Sequence, residues 1–156
     1  PWDWVVERLD PATVERLHGL PHSLSLDGVL YCHGSPRSDE EILTRVSPEH
    51  RVRAALVGVE ERLVVGGHTH VQYDRVVDGI RLVNAGSVGM PYEGRQGAFW
   101  ALVEDGEPDL RRTPYAIGAA VVLVRASSWP DAEQLAGWLL EPPDADETSG
   151  YFESIA

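Results

Sequence analysis

His33, His68 and His70 are the residues whose type and spacing point to chemistry. His68 and His70 follow the β-branched run Arg62 to Val65 through Gly66 and Gly67, and His33 closes the run Val29 to Cys32 ahead of Gly34-Ser35-Pro36. Glycines at such places let the backbone turn sharply and let other groups approach closely. In an extended segment, His68 and His70 project to one side, about 6–7 Å apart at Cα, and Thr69 points into the support beneath. Two imidazoles so placed can grip one metal ion, or serve one each of two ions roughly 3.5–4 Å apart. The plainer alternative for His33 is a hydrogen bond to backbone at a turn. Both readings fit the residues alone.

The elements that must position these histidines follow from local pattern. Asp10 caps a helix over Pro11 to His18, stopped by Gly19. Ser23 to Leu26 and Val29 to Cys32 form a hairpin across Asp27-Gly28, a pair suited to two central residues of positive φ. Hairpins of the same kind are expected for Val71 to Val77 with Ile80 to Val83, and for Ala98 to Val103 with Asp109 to Thr113. Ser38-Asp39-Glu40-Glu41 has the pattern of a capping box, which predicts a helix to about Val46. A second helix starts at Ser47-Pro48 and continues through Val57. Further helices are expected over Tyr115 to Ala126, although its valines would also suit a strand, and over Asp131 to Leu140. The strands and helices together indicate an α+β or layered α/β/α arrangement, and in a layered α/β sheet ligands collect beyond the carboxyl ends of the strands.

Composition narrows the function classes. The net charge of −12, from 13 Lys and Arg against 25 acids, argues against broad nucleic-acid binding. It leaves a phosphate substrate open, because a bound metal supplies positive charge locally. Cys32 is the sole cysteine, so no internal disulfide forms and a cytoplasmic location is expected. The longest apolar run, Ile117 to Val124, is too short to cross a bilayer. Glu141 to Ala156 is acidic, lacks Lys and Arg, and reads as a solvated, poorly ordered tail.

Cys32-His33-Gly34-Ser35-Pro36, Gly66-Gly67-His68-Thr69-His70 and Asn84-Ala85-Gly86-Ser87-Val88-Gly89-Met90-Pro91 occur in that order. This set resembles the latter part of calcineurin-like metallophosphoesterases, most of all their small bacterial and archaeal phosphodiesterase branch. The Gly-His-x-His element is short, whereas the Asn-x-Gly-Ser-Val-Gly-x-Pro segment is far more specific. The resemblance covers roughly Gly28 to Tyr115. It implies an α/β fold, a layered β-sandwich with flanking helices (α/β/β/α). It also implies two divalent metal ions, with Mn favoured and Ni, Fe or Zn as alternatives, that activate water to hydrolyse a phosphodiester or phosphomonoester. His33 and His68 match ligands of one ion, and His70 a ligand of the other. The family's remaining ligands lie in an Asp-x-His element, a bridging Asp and an Asn-His-Asp-like element, and none has a counterpart here. The chain therefore reads as the C-terminal part of the domain, residues 1–140, followed by the tail at 141–156, with the N-terminal portion absent.

Other residues carry weaker expectations. Asn84 and Ser87 are candidates for hydrogen bonds beneath the metal ligands, and Tyr92 and Arg95 for contact with substrate phosphate. Alternation turns Cys32 away from His33, so it reads as a core thiol and not a nucleophile. His18, His22 and His50 read as surface or packing residues, and Trp2 and Trp4 as cover for the absent segment. A truncated sheet would expose an apolar edge and require a partner, either that segment or a second copy. Without its carboxylates the chain has a rival reading, a non-catalytic binding or interaction module.

Overall fold

The computed structural model describes residues 2–156. The chain folds into a mixed α/β arrangement, a central sheet with flanking helices. Two short helices, α1 (Trp2–Val6) and α2 (Pro11–His18), come first. Asp10 caps α2 through its side chain, which accepts from Thr13 N at 3.0 Å. The hairpin β1 (Ser23–Leu26) and β2 (Val29–Cys32) follows, then α3 (Glu49–Ala55) and β3 (Leu63–Gly66). Next come the hairpin β4 (Tyr73–Val77) and β5 (Ile80–Asn84), and the hairpin β6 (Ala98–Glu104) and β7 (Glu107–Thr113). Three helices close the chain: α4 (Ile117–Ala126), α5 (Ala132–Leu140) and α6 (Ala145–Ile155). Each hairpin turns on an Asp-Gly pair with both residues at positive φ, as expected.

The first five strands form one sheet in the order β1-β2-β3-β5-β4. β2, β3 and β5 run parallel, and β1 and β4 are antiparallel edges. One face packs Leu30, Val64 and Leu82 against Val52, Ala55 and Leu56 of the α3 region. The other packs Val29, Leu63, Val65 and Val83 against Val103 and Leu110 of the β6–β7 hairpin, so the layers run helix, sheet, hairpin. Val and Leu on both faces of β2, β3 and β5 are what a sheet buried on two sides requires. At the β1 edge, Leu24 and Leu26 stay exposed.

Two expectations fail. No helix forms over Ser38 to Val46, because Glu41 is taken by Arg37 Nε at 2.9 Å and by Ser35 Oγ at 2.6 Å. That clasp keeps the segment open and drives Leu43 into the core. The stretch expected to be a poorly ordered tail instead forms α6. Asp144 caps it, and Glu153 accepts hydrogen bonds from Thr44 Oγ1 at 2.8 Å, from Ser47 Oγ, and from Arg51 at 2.9 Å. A carboxylate with three donors holds the helix where composition alone suggested solvation. Trp4 packs edge-on against Trp129 at 5.1 Å. Among the described residues, no helix is long and apolar enough to cross a membrane.

Candidate metal site

Parallel pairing brings three strand ends together. Gly66 stands level with Asn84, and Tyr31 with Val65, so β2, β3 and β5 finish at one edge. Gly67 N donates to His33 O, and Ala85 N to Gly66 O, each at 2.9 Å, which extends the ladder past the strands. Beyond that edge His33 Nε2 and His68 Nδ1 stand 3.2 Å apart. Gly34, next in the chain, lets the 38–41 segment pass close by. A Cβ there would lie 2.8–2.9 Å from the carbonyl oxygens of Ser38, Asp39 and Glu41.

The segment from His68 to His70 is not extended. His68 has φ 67° and His70 φ 58°, both left-handed, and Thr69 N donates to Gly67 O at 2.8 Å. Side chains rarely adopt this region and each such residue costs on the order of 1–3 kcal/mol, a strain that clusters at functional sites. The turn is fastened from below. Thr69 is buried, and its Oγ1 accepts from Asn84 Nδ2 at 3.0 Å. Asn84 also donates to Gly67 O and accepts from Gly86 N, so one buried amide braces two backbone points and the Thr69 hydroxyl.

His70 lies apart from the other pair. Its Nδ1 is buried and makes no hydrogen bond. Tyr92 lies against the ring, 5.3 Å between centroids and tilted by 32°, and Tyr92 N donates to His70 O at 3.1 Å. Burial pushes the pKa of both His68 and His70 down; His33 adds to this at His68, and the Met90 carbonyl opposes it at His70. Neutral rings are the state in which imidazole ligates a metal.

The other candidates are placed differently. Ser87 Oγ accepts from Met90 N at 3.1 Å and shapes the loop after β5. Arg95 is exposed, its guanidinium 5.2 Å from the Phe99 ring centre. Cys32 points back toward Val65 O, and burial pushes its thiol up to about 11, far from a nucleophile. His18, His22 and His50 are exposed, though His18 and His22 rim a cleft of about 620 Å³ that also touches His33. Glu93 escaped the sequence reading: it accepts from Gln72 N and so pins the chain just after His70. Nothing in its local pattern marks it, because the contact depends on a loop folding back.

Two nitrogens bound to one ion at about 2.1 Å stand about 3.0–3.4 Å apart for octahedral or tetrahedral angles. The spacing of His33 and His68 fits adjacent ligands of a single ion. Among the described residues no group of three or more His, Cys, Asp or Glu gathers around a common point. One ion thus finds two donors, and a two-ion centre does not fit these residues by themselves.

A domain model described as the calcineurin-like phosphoesterase superfamily domain matches residues 10–106. The chain belongs to the calcineurin-like phosphoesterase superfamily. The fold agrees with that of a metallophosphoesterase from Sphaerobacter thermophilus, at a TM-score of 0.77 and 22% identity. The match covers 88% of this chain and 66% of that one. A hypothetical protein from Pyrococcus horikoshii OT3 is also similar, with a TM-score of 0.72, 21% identity, and coverage of 89% and 57%. The chain therefore spans less than two thirds of the length of either relative. No curated protein gives a significant sequence match. The superfamily is one of phosphoester hydrolases that typically bind divalent metals.

Proposed function

We propose that these residues form the histidine side of a metal-dependent phosphoesterase centre that hydrolyses a phosphodiester or phosphomonoester. The observation that carries this reading is the 3.2 Å approach of His33 Nε2 to His68 Nδ1 at the shared end of β2 and β3. His33 and His68 would hold one divalent ion, and His70 would serve a second only together with ligands from outside these residues. Manganese is favoured, with Ni, Fe or Zn as alternatives. Such ions polarise a phosphoryl oxygen and lower the pKa of bound water. The chain's own part is to favour the neutral rings of His68 and His70, to fix their turn through Asn84 and Thr69, and to close one side of His70 with Tyr92. The carboxylate ligands have to be supplied to these residues before turnover is efficient. A cytoplasmic setting, with a partner segment or a second copy at the β1 edge, agrees with the single cysteine and the exposed Leu24 and Leu26.

Elemental analysis and calorimetry with Mn and Zn test this directly, beside a phosphoesterase screen. The 156-residue chain is expected to bind about one ion, to lose it in the His33→Ala/His68→Ala double variant, and to turn over weakly. A chain that binds no metal overturns the reading.

A second reading is a non-catalytic interaction module. It is favoured by the lack of a third ligand group among the described residues. Vigorous Mn-dependent turnover by this chain would exclude it.

A further inference from the structure

Tyr92 joins the histidines to a second feature. Besides lying against His70, its ring meets Trp138 edge-on at 5.7 Å and Phe152 at 6.2 Å. Tyr151 continues the series, 5.8 Å from Phe152, and is 62% exposed. With Glu147 and Thr148 at the margin, these rings line an open groove of about 440 Å³. The loop after β5, α5 and α6 each contribute, so the fold assembles the groove from three separate places in the chain.

The lining selects the occupant. Aromatic walls bind planar rings by stacking. Glu147 stands in the wall and, among the described residues, no Lys or Arg lines the groove, in a chain of net charge −12, so an anionic group is disfavoured there. Glu147 and Thr148 instead offer hydrogen-bonding groups to the edge of a neutral ring. Tyr92 separates the groove from His70 by one aromatic layer. A ring in the groove and a phosphate at the histidines would lie on opposite sides of Tyr92.

We propose that this groove holds the planar, uncharged aromatic group of the phosphate ester, aryl or nucleobase, and so sets substrate preference. The proposal rests on reading His33, His68 and His70 as the phosphoesterase centre. Ring binding itself needs neither metal nor turnover.

The test is equilibrium binding to the 156-residue chain in metal-free buffer, by calorimetry and ligand-observed NMR. The probes are adenosine, 4-nitrophenol and ribose. Adenosine or 4-nitrophenol is expected to bind and ribose to fail; the tighter of the two identifies the ring class. Tyr151→Ala, on an exposed side chain, and Trp138→Ala are each expected to weaken binding about tenfold, while Trp100→Phe leaves it unchanged. Binding of neither ring, or ring binding that Tyr151→Ala does not alter, overturns the proposal. Concentration-dependent self-association abolished by Tyr151→Ala in sedimentation also overturns it, because the groove is then a subunit contact. Failure of the phosphoesterase reading looks different: rings still bind, but no metal supports hydrolysis.

Discussion

Thr69 and Asn84 meet in the interior, Nδ2 to Oγ1 at 3.0 Å, at 2% and 1% exposure. The bond fixes a turn whose flanking histidines both sit in the left-handed region. Replacing Asn84 removes the side-chain bracing of that turn at once. Asn84→Ala is expected to cost about 2–3 kcal/mol in urea unfolding, because Gly86 N and Thr69 Oγ1 lose their buried partner. Metal affinity at the histidines should also fall, by about 10–100-fold. Unaltered affinity in a folded Asn84→Ala chain would remove Asn84 from the positioning of the site.

The backbone at His68 allows strain to be separated from the loss of the ring. His68→Ala and His68→Gly both delete the imidazole, but only glycine is at ease at φ 67°. The glycine variant is expected to be the more stable by about 1 kcal/mol in thermal or urea melts. An alanine variant of equal or greater stability would mean that the left-handed turn relaxes once the histidine is gone.

Glu153 provides a third prediction. Its carboxylate accepts from Thr44, Ser47 and Arg51, and its side chain is only 18% exposed. Glu153→Ala leaves those donors without an acceptor. The expected cost, reduced for partial solvation, is about 2–3 kcal/mol. Amide exchange should speed up in α6 and around residues 44–51 together, and protection lost from α6 alone would contradict the coupling.

Glu93 sets a pH dependence. Burial raises its carboxyl pKa above the ordinary 4.5, with Arg95 and Arg45 pulling the other way without cancelling the effect. The folded chain therefore takes up this proton at a higher pH than the unfolded chain. At neutral pH the ionised carboxylate costs stability, and as pH falls from the folded pKa toward 4.5 that cost disappears. Glu93→Gln keeps an acceptor for Gln72 N and removes the charge. Its Tm should exceed the parent's at pH 7, and the gap should close by pH 4. A gap of the same size at both pH values would refute this account.

Much of the frame was legible because it rests on local chemistry. The three Asp-Gly pairs dictate tight hairpins wherever they stand. The β-branched run before Gly66 has to be a buried strand. The order of the histidine and glycine motifs indicated the superfamily. What was missed depends on contacts distant in sequence. Glu41 looked like a capping residue until Arg37 and Ser35 claimed it. Glu141 to Ala156 looked solvated because its anchor, Glu153, finds its donors more than a hundred residues earlier. The spacing of His68 and His70 suggested extended chain, yet both took left-handed backbone once Thr69 turned inward to Asn84. Periodicity does not report such cross-chain hydrogen bonds.

The clasp of Glu153 on Thr44 and Ser47 also imposes an order on synthesis. A chain made from its N-terminus exposes the segment between His33 and α3 early, while the carboxylate that secures it follows more than a hundred residues later. Until then Thr44, Ser47 and Arg51 have only one another and the Ile42 carbonyl to bond, beside Leu43, which must already find the core. The nascent protein thus passes through a stage in which its sheet can pair but one flank stays unfastened, and it is then most open to capture by chaperones or proteases. Chains stalled before Glu153 would remain at that stage.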